Sequence, residues 1–197
     1  QMDALLALRA SLNNTLGDAP LGVYEFLLKA TAAAMKTVPS ANASWMDSHV
    51  RVFDPVHLNV VVGSGDALYT PVVTNVGSKG LKAISAELKT FDEALRSSDD
   101  DDDSAGPPSS VLGGLGTFTV MNLGMYGIRS CAPIIREPQA CALALGALEH
   151  RIVPNHDEDT DVIYKEAVMM TATLSCDHRV VDGAVGAQWL AAFKSHV

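Results

Sequence analysis

The stretch Ser175-Cys176-Asp177-His178-Arg179-Val180-Val181-Asp182-Gly183 joins two segments of opposite character. Upstream, Val168 to Ser175 is rich in β-branched and apolar residues and predicts a strand. Downstream, Ala184 to Phe193 predicts a closing helix with Val185, Trp189 and Ala192 on its inner face. Such junctions expose side chains that rigid elements hold in place. His178 is the residue there able to shuttle protons near neutral pH, and Asp182, four residues on, and Arg179 are placed to orient or charge-balance it. The same spacing fits a plainer role, in which Asp182 caps the last helix and His178 is a packed surface histidine. His-x-x-x-Asp alone does not separate the two.

Outward from the junction, Ala140 to Leu145 and Gly116 to Asn122 predict two more strands. The second leads into Asn122-Leu123-Gly124-Met125-Tyr126-Gly127, whose glycines permit a tight turn. It is no phosphate cradle, since neither G-x-G-x-x-G nor G-x-x-x-x-G-K occurs. Further upstream, His57 to Val62 predicts a strand, Gly63 to Asp66 a hairpin turn and Leu68 to Val76 the returning strand. Leu81, Ile84, Leu88, Phe91 and Leu95 form a helical stripe, as do Leu5, Leu8, Leu12 and Leu16 in a helix ending near Gly17. Between those two helices, Asp18 is a candidate cap and Pro20 a first-turn residue for a helix burying Val23, Phe26, Leu27, Ala30 and Ala34 and stopped by Pro39. Helices first and strands later, without regular βαβ alternation, predict a mixed-sheet α+β domain.

Across all 197 residues, 48% are hydrophobic and only 19% charged, so part of the apolar surface is expected to be covered by a partner chain. Acidic residues outnumber basic ones 23 to 14, a net charge of −9, which argues against a nucleic-acid binder. Five of those negatives are Asp99 to Asp103, in a stretch from about residue 97 to 112 that gains nothing by packing and reads as a disordered, solvated loop. No apolar run is long enough to span a membrane. Cys131, Cys141 and Cys176 are odd in number and lack a C-x-x-C pair, so neither a disulfide framework nor a metal site is indicated, and a reducing compartment is expected. Asn13-Asn14-Thr15 and Asn42-Ala43-Ser44 match the glycosylation triplet, a pattern frequent by chance.

Asp177-His178-Arg179-Val180-Val181-Asp182-Gly183-Ala184 resembles the D-H-R-x-x-D-G signature of the dihydrolipoyl acyltransferases. Gly116-Thr117-Phe118-Thr119, Asn122 to Ile128, Pro138-Gln139-Ala140-Cys141 and Asn42-Ala43-Ser44-Trp45-Met46 resemble the pyruvate dehydrogenase branch, in order, from about Met2 to Phe193. The same text is less like the succinyl and branched-chain branches.

The resemblance implies one catalytic core domain over residues 1–197, with a chloramphenicol-acetyltransferase-like fold that forms trimers within a large hollow core. Lipoyl and peripheral-subunit-binding domains are absent from this stretch. It implies an active-site channel between two subunits, coenzyme A and a lipoyl arm as substrates, no metal, and pyruvate-decarboxylating and dihydrolipoyl dehydrogenase subunits as partners. The expected setting is the mitochondrial matrix, or the cytoplasm if the chain is bacterial. His178 is then the general base that takes the coenzyme A thiol proton, with Asp182 orienting it and Arg179, Gly183 and Asn122 supporting. The cysteines need no role and are expected to be buried and inert. One departure stands out: the hydroxyl that stabilises the oxyanion in the family is replaced by Met121, a thioether with no proton to donate. Thr119 lies on the same strand face, about 7 Å along it. Met121, and a chain stopping at Val197 before the family's apolar tail, suit an alternative: a structural or recruiting core subunit resembling the dihydrolipoyl-dehydrogenase-binding protein.

Overall fold

The computed structural model describes residues 1–17, 20–64, 67–99, 114–155 and 163–197. Its elements in chain order are α1 (Asp3–Leu16), α2 (Val23–Thr37), a 3₁₀ turn (Pro39–Ala41), β1 (Ala43–Trp45), β2 (Val50–Val52), β3 (Leu58–Ser64), β4 (Ala67–Tyr69), β5 (Val72–Val73), α3 (Leu81–Asp99), β6 (Phe118–Asn122), a 3₁₀ turn (Gly124–Tyr126), β7 (Cys141–Pro154), β8 (Tyr164–Cys176) and α4 (Gly183–Ser195). The main sheet runs β4-β3-β6-β7-β8, with β5 also on β3. Strands β3, β6 and β7 are parallel, whereas β8 returns antiparallel along β7 and β4 and β5 lie antiparallel to β3. Helices flank this mixed sheet, as expected for α+β. Strands β1 and β2 form a separate hairpin.

One face of the sheet carries the core. Phe118 of β6 packs on Trp189 of α4 with ring centroids 5.5 Å apart, and Trp189 stacks on Phe193 at 5.6 Å. Leu143, Leu145, Val60 and Leu58 project to this core, and α2 closes it with Phe26, Leu27 and Leu28. Burial of such side chains, at about 1.5–3 kcal/mol each, holds helices to sheet.

Several expectations shift in detail. The apolar stripe of α1 is Leu5, Leu6, Leu12 and Leu16, while Leu8 is 52% exposed beside a groove with Phe26, Ala30 and Leu81. Helix α2 starts at Val23 with Gly22 as its N-cap, so Pro20 precedes the helix and is not in its first turn. Asp18 lies outside the described residues. The hairpin strands extend to Ser64 and from Ala67, a tighter connection than Gly63 to Asp66, with the two intervening residues outside the described ones. The return strand is broken into β4 and β5 around Pro71, which has no amide to donate to the ladder. Helix α3 continues through Ser97, Ser98 and Asp99, so the acidic stretch begins inside a helix, and its remainder to residue 112 lies outside the described residues. Strands β7 and β8 are far longer than expected because, beyond the core, β7 alternates half-buried and exposed residues and β8 opens on three exposed ones, an arm whose polarity hides it from a search for apolar runs.

Candidate active site

Strand β8 ends at Cys176, and the chain turns through Asp177, His178, Arg179 and Val180 before Asp182 opens α4. Asp177 is the pivot of this turn. Its amide donates to the carbonyl of Ala140 at 2.7 Å, and its own carbonyl accepts from the amides of Val180 and Val181, both at 2.9 Å. Its carboxylate accepts from the Arg179 amide at 3.0 Å and from the guanidinium through Nε at 3.0 Å and Nη2 at 2.6 Å. The hydrogen bonds from Arg179, outweighing partial desolvation, hold the Asp177 carboxyl below its ordinary range. The guanidinium also lies 5.6 Å from the centre of the Trp45 ring, a cation–π distance that docks the turn on β1.

Asp182 adopts an extended backbone and its side chain accepts from the amide of Val185 at 2.8 Å, the geometry of a helix N-cap. Both acids near His178 are therefore engaged locally, one with Arg179 and one with α4. His178 itself is exposed, and among the described residues no hydrogen bond or ion pair within the chain holds its ring.

At the far end of β6, Met121 is half-buried on the sheet face opposite the helices. Thr119 shares that face, but it is 4% exposed and its hydroxyl donates to Gln139 Oε1 at 2.5 Å. Its proton is committed to that bond. Gln139 Nε2 donates in turn to Asn59 Oδ1 and to the Gly116 carbonyl, both at 2.8 Å, and the Gly116 amide donates to Asn59 Oδ1 at 2.8 Å. Gly116 fits because a Cβ there would meet the His57 carbonyl at 2.7 Å. This buried polar network fixes the start of β6 and the entry to β7, next to the Ala140 carbonyl that anchors the His178 turn. Composition and periodicity gave no sign of it; the one available signal was Gln139 within the Pro-Gln-Ala-Cys text. Asn122 faces the other way, into a cleft of about 410 Å³ with Tyr24 and Gly124, its Oδ1 accepting from the Gly124 amide at 3.2 Å. Gly183 is the first residue of α4. Among the described residues no group of three or more potential ligands could hold a metal, and no helix is long and apolar enough to cross a membrane.

The 2-oxoacid dehydrogenases acyltransferase catalytic-domain family matches residues 1–197, the whole chain. The chain belongs to this acyltransferase family. It is 40% identical over 197 residues to the mitochondrial dihydrolipoyllysine-residue acetyltransferase component of the pyruvate dehydrogenase complex of Dictyostelium discoideum, covering 100% of this chain and 29% of that protein. The chain thus spans less than a third of that relative. Among solved structures, the cubic core of the pyruvate dehydrogenase multienzyme complex superimposes with a TM-score of 0.83 at 27% identity, over 98% of this chain and 76% of that one. The dihydrolipoamide acetyltransferase of Azotobacter vinelandii, studied for the roles of a serine, a histidine and an asparagine in its mechanism, gives 0.82 at 26%, over 98% and 76%. Chloramphenicol acetyltransferase shares the fold, with a TM-score of 0.57 at 13% identity over 95% and 82%.

In this acyltransferase domain the two groups of candidate residues lie apart. Met121, Ala144 and Thr173 are level across three adjacent strands. Cys176 is three residues further along β8, so it lies about 10 Å along and about 10 Å across from Met121, roughly 14 Å in all. His178 is two residues beyond.

Proposed function

We propose that this domain is the catalytic core of a dihydrolipoyl acetyltransferase of the pyruvate dehydrogenase complex, moving acetyl from an acetyl-dihydrolipoyl group to coenzyme A. The observation that carries the reading is the His178 turn. Asp177 and Arg179 neutralise each other, Asp182 is spent on the helix cap, and the exposed imidazole between them is free to meet a substrate. In the reaction, His178 accepts the coenzyme A thiol proton as the sulfur attacks the thioester carbonyl, and returns it to the departing dihydrolipoyl thiolate as the carbon–sulfur bond breaks. Asp182 acts as a positioning residue: it fixes where α4 begins and so where the turn holds the ring. In the Azotobacter structure the histidine and asparagine are four residues apart, the spacing of His178 and Asp182.

The oxyanion formed on attack would face Met121. Loss of one such donor typically costs about 10²–10³ in rate, roughly 3–4 kcal/mol, so the chain is a slow member of its class. Within one chain the end of β8 that leads into the His178 turn lies roughly 14 Å from Met121, which supports a site completed between two subunits of a trimer. Two further observations favour that assembly. The sheet face opposite the helices is half-open at Val61, Met121, Thr173 and Ser175. Large apolar side chains are exposed on the β7–β8 arm and in the segment before β7: Ile152 79%, Ile163 71%, Tyr164 62% and Ile134 86%. The relatives support a large multimeric core, coenzyme A and a lipoyl group carried on a separate domain as substrates, and a mitochondrial setting. Decarboxylating and dihydrolipoyl dehydrogenase subunits are the partners such a core implies. The test is acetyl transfer from acetyl-dihydrolipoamide to coenzyme A by the purified domain, with and without His178→Ala.

A further inference from the structure

Cys141, the first residue of β7, and Cys176, the last of β8, are direct partners in the antiparallel register. The next pair outward is hydrogen-bonded, Asp177 amide to Ala140 carbonyl at 2.7 Å, and bonding alternates along such a ladder. Cys141 and Cys176 therefore form a non-hydrogen-bonded pair, the kind with Cα atoms about 4.5 Å apart and side chains closest, within the range a disulfide spans. Both side chains lie on the sheet face that α4 covers, side by side across the ladder. A Cβ added at Gly186 would lie 3.5 Å from Cys176 Sγ, which shows how closely α4 covers the pair.

The two thiols are not equivalent. Cys141 is buried and Cys176 half-buried. Interaction with Cys141 pulls the Cys176 thiol below its ordinary range despite desolvation, while interaction with Cys176, with burial, pushes Cys141 up. The more accessible partner is the one a small oxidant reaches first, and the neighbour facing it across the ladder is a ready resolving thiol, the pairing expected of an oxidation site.

We infer that Cys141 and Cys176 form an intrachain disulfide when the protein meets hydrogen peroxide. The Cys176 thiolate attacks one peroxide oxygen, a sulfur–oxygen bond forms as the oxygen–oxygen bond breaks, and hydroxide leaves to become water with the proton Cys176 gave up. Cys141 sulfur then attacks Cys176 sulfur; the sulfur–sulfur bond forms, the sulfur–oxygen bond breaks, and the hydroxide departs as water with the Cys141 proton. Two thiols are oxidised, one peroxide is reduced and two waters result. A dithiol reverses the step. The link ties the open end of the β7–β8 pair two residues before His178, although its formation does not depend on any catalytic role for that residue.

The test is treatment of the folded, assembled protein with hydrogen peroxide, alkylation of the remaining thiols and peptide mass mapping. The expected result is loss of about 2 Da with a crosslinked Cys141–Cys176 peptide, reversed by dithiothreitol and unchanged in Cys131→Ser. In Cys176→Ser, Cys141 should remain a free thiol under the same dose. The inference is overturned if Cys176 advances to the sulfinic acid with Cys141 still reduced, or if Cys131 is consumed while the pair stays free.

Discussion

Subunit mixing tests the arrangement in which His178 of one subunit works against the β6 end of another. One chain is left unchanged; the second carries both Met121→Ser, which adds the missing hydroxyl, and His178→Ala, which removes the base. A base must come within about 3 Å of the thiol proton and an oxyanion donor within about 3 Å of the carbonyl oxygen, so the two must lie within roughly 7 Å of each other. Within one chain, Met121 and Cys176, where β8 leads into the His178 turn, are roughly 14 Å apart by strand geometry. Assembled alone, the double variant has no base and is inactive. In a random equal mixture, about a quarter of the interfaces join an intact His178 to a neighbour's new hydroxyl. If that hydroxyl restores about 10²–10³ in rate, the mixture runs about 25 to 250 times faster than the parent in transfer from acetyl-dihydrolipoamide to coenzyme A. Activity at half the parent level, the result of simple dilution, would show that each chain uses its own β6 end and would refute the two-chain site. Met121→Ser alone should show the full gain, and no gain would remove Met121 from the oxyanion position.

Other consequences concern stability. Trp189 is 0% exposed between Phe118 and Phe193, and its indole N–H has no hydrogen-bond partner among the described residues. Trp189→Ala should destabilise the fold by about 3–5 kcal/mol, whereas Trp189→Phe, which keeps a ring and removes the unpaired donor, should cost well under half as much in urea unfolding; equal losses would contradict the packing described. The Asp177–Arg179 pair has a pH signature. Because Asp177 titrates below its ordinary value of 3.8 when folded, its contribution is fully present above that value and is lost as pH falls through the folded one. For a pair open to solvent on the Arg179 side, screening by water keeps the contribution small. The stability difference between the parent and Arg179→Ala should therefore be present at neutral pH and vanish in strong acid, and a difference that persists there would assign it to the Trp45 contact instead.

Much of the α+β domain was legible because its core elements carry period. The stripe Ile84, Phe91 and Leu95, and the β-rich segments around Val60, Val120 and Leu143, announce which face is buried. The outer halves of β7 and β8 were not legible, since an arm with both faces partly open has no apolar run. Pro71 divides a strand that hydrophobicity alone joins. At the candidate site, the Asp177–Gly183 motif marked the turn and its Asp182 cap, but the sequence could not say that Asp177 and Arg179 would be spent on each other. Nor could it place Gln139, whose amide links Thr119, Asn59 and Gly116 from three separate segments. Long-range polar networks of that kind leave no periodic trace. The cysteines were expected to be buried alike; instead Cys141 is buried, Cys131 and Cys176 are half-buried, and two of them face each other across a ladder that is visible only once register is known.

The most direct measurement is the rate of acetyl transfer from acetyl-dihydrolipoamide to coenzyme A by the assembled domain before and after His178→Ala, with the variant's assembly checked against the parent. Removing a positioned general base costs about 10²–10⁴ in rate, and a fall of that size in a variant that assembles normally is the predicted result. An assembled His178→Ala protein as active as the parent would contradict the catalytic assignment.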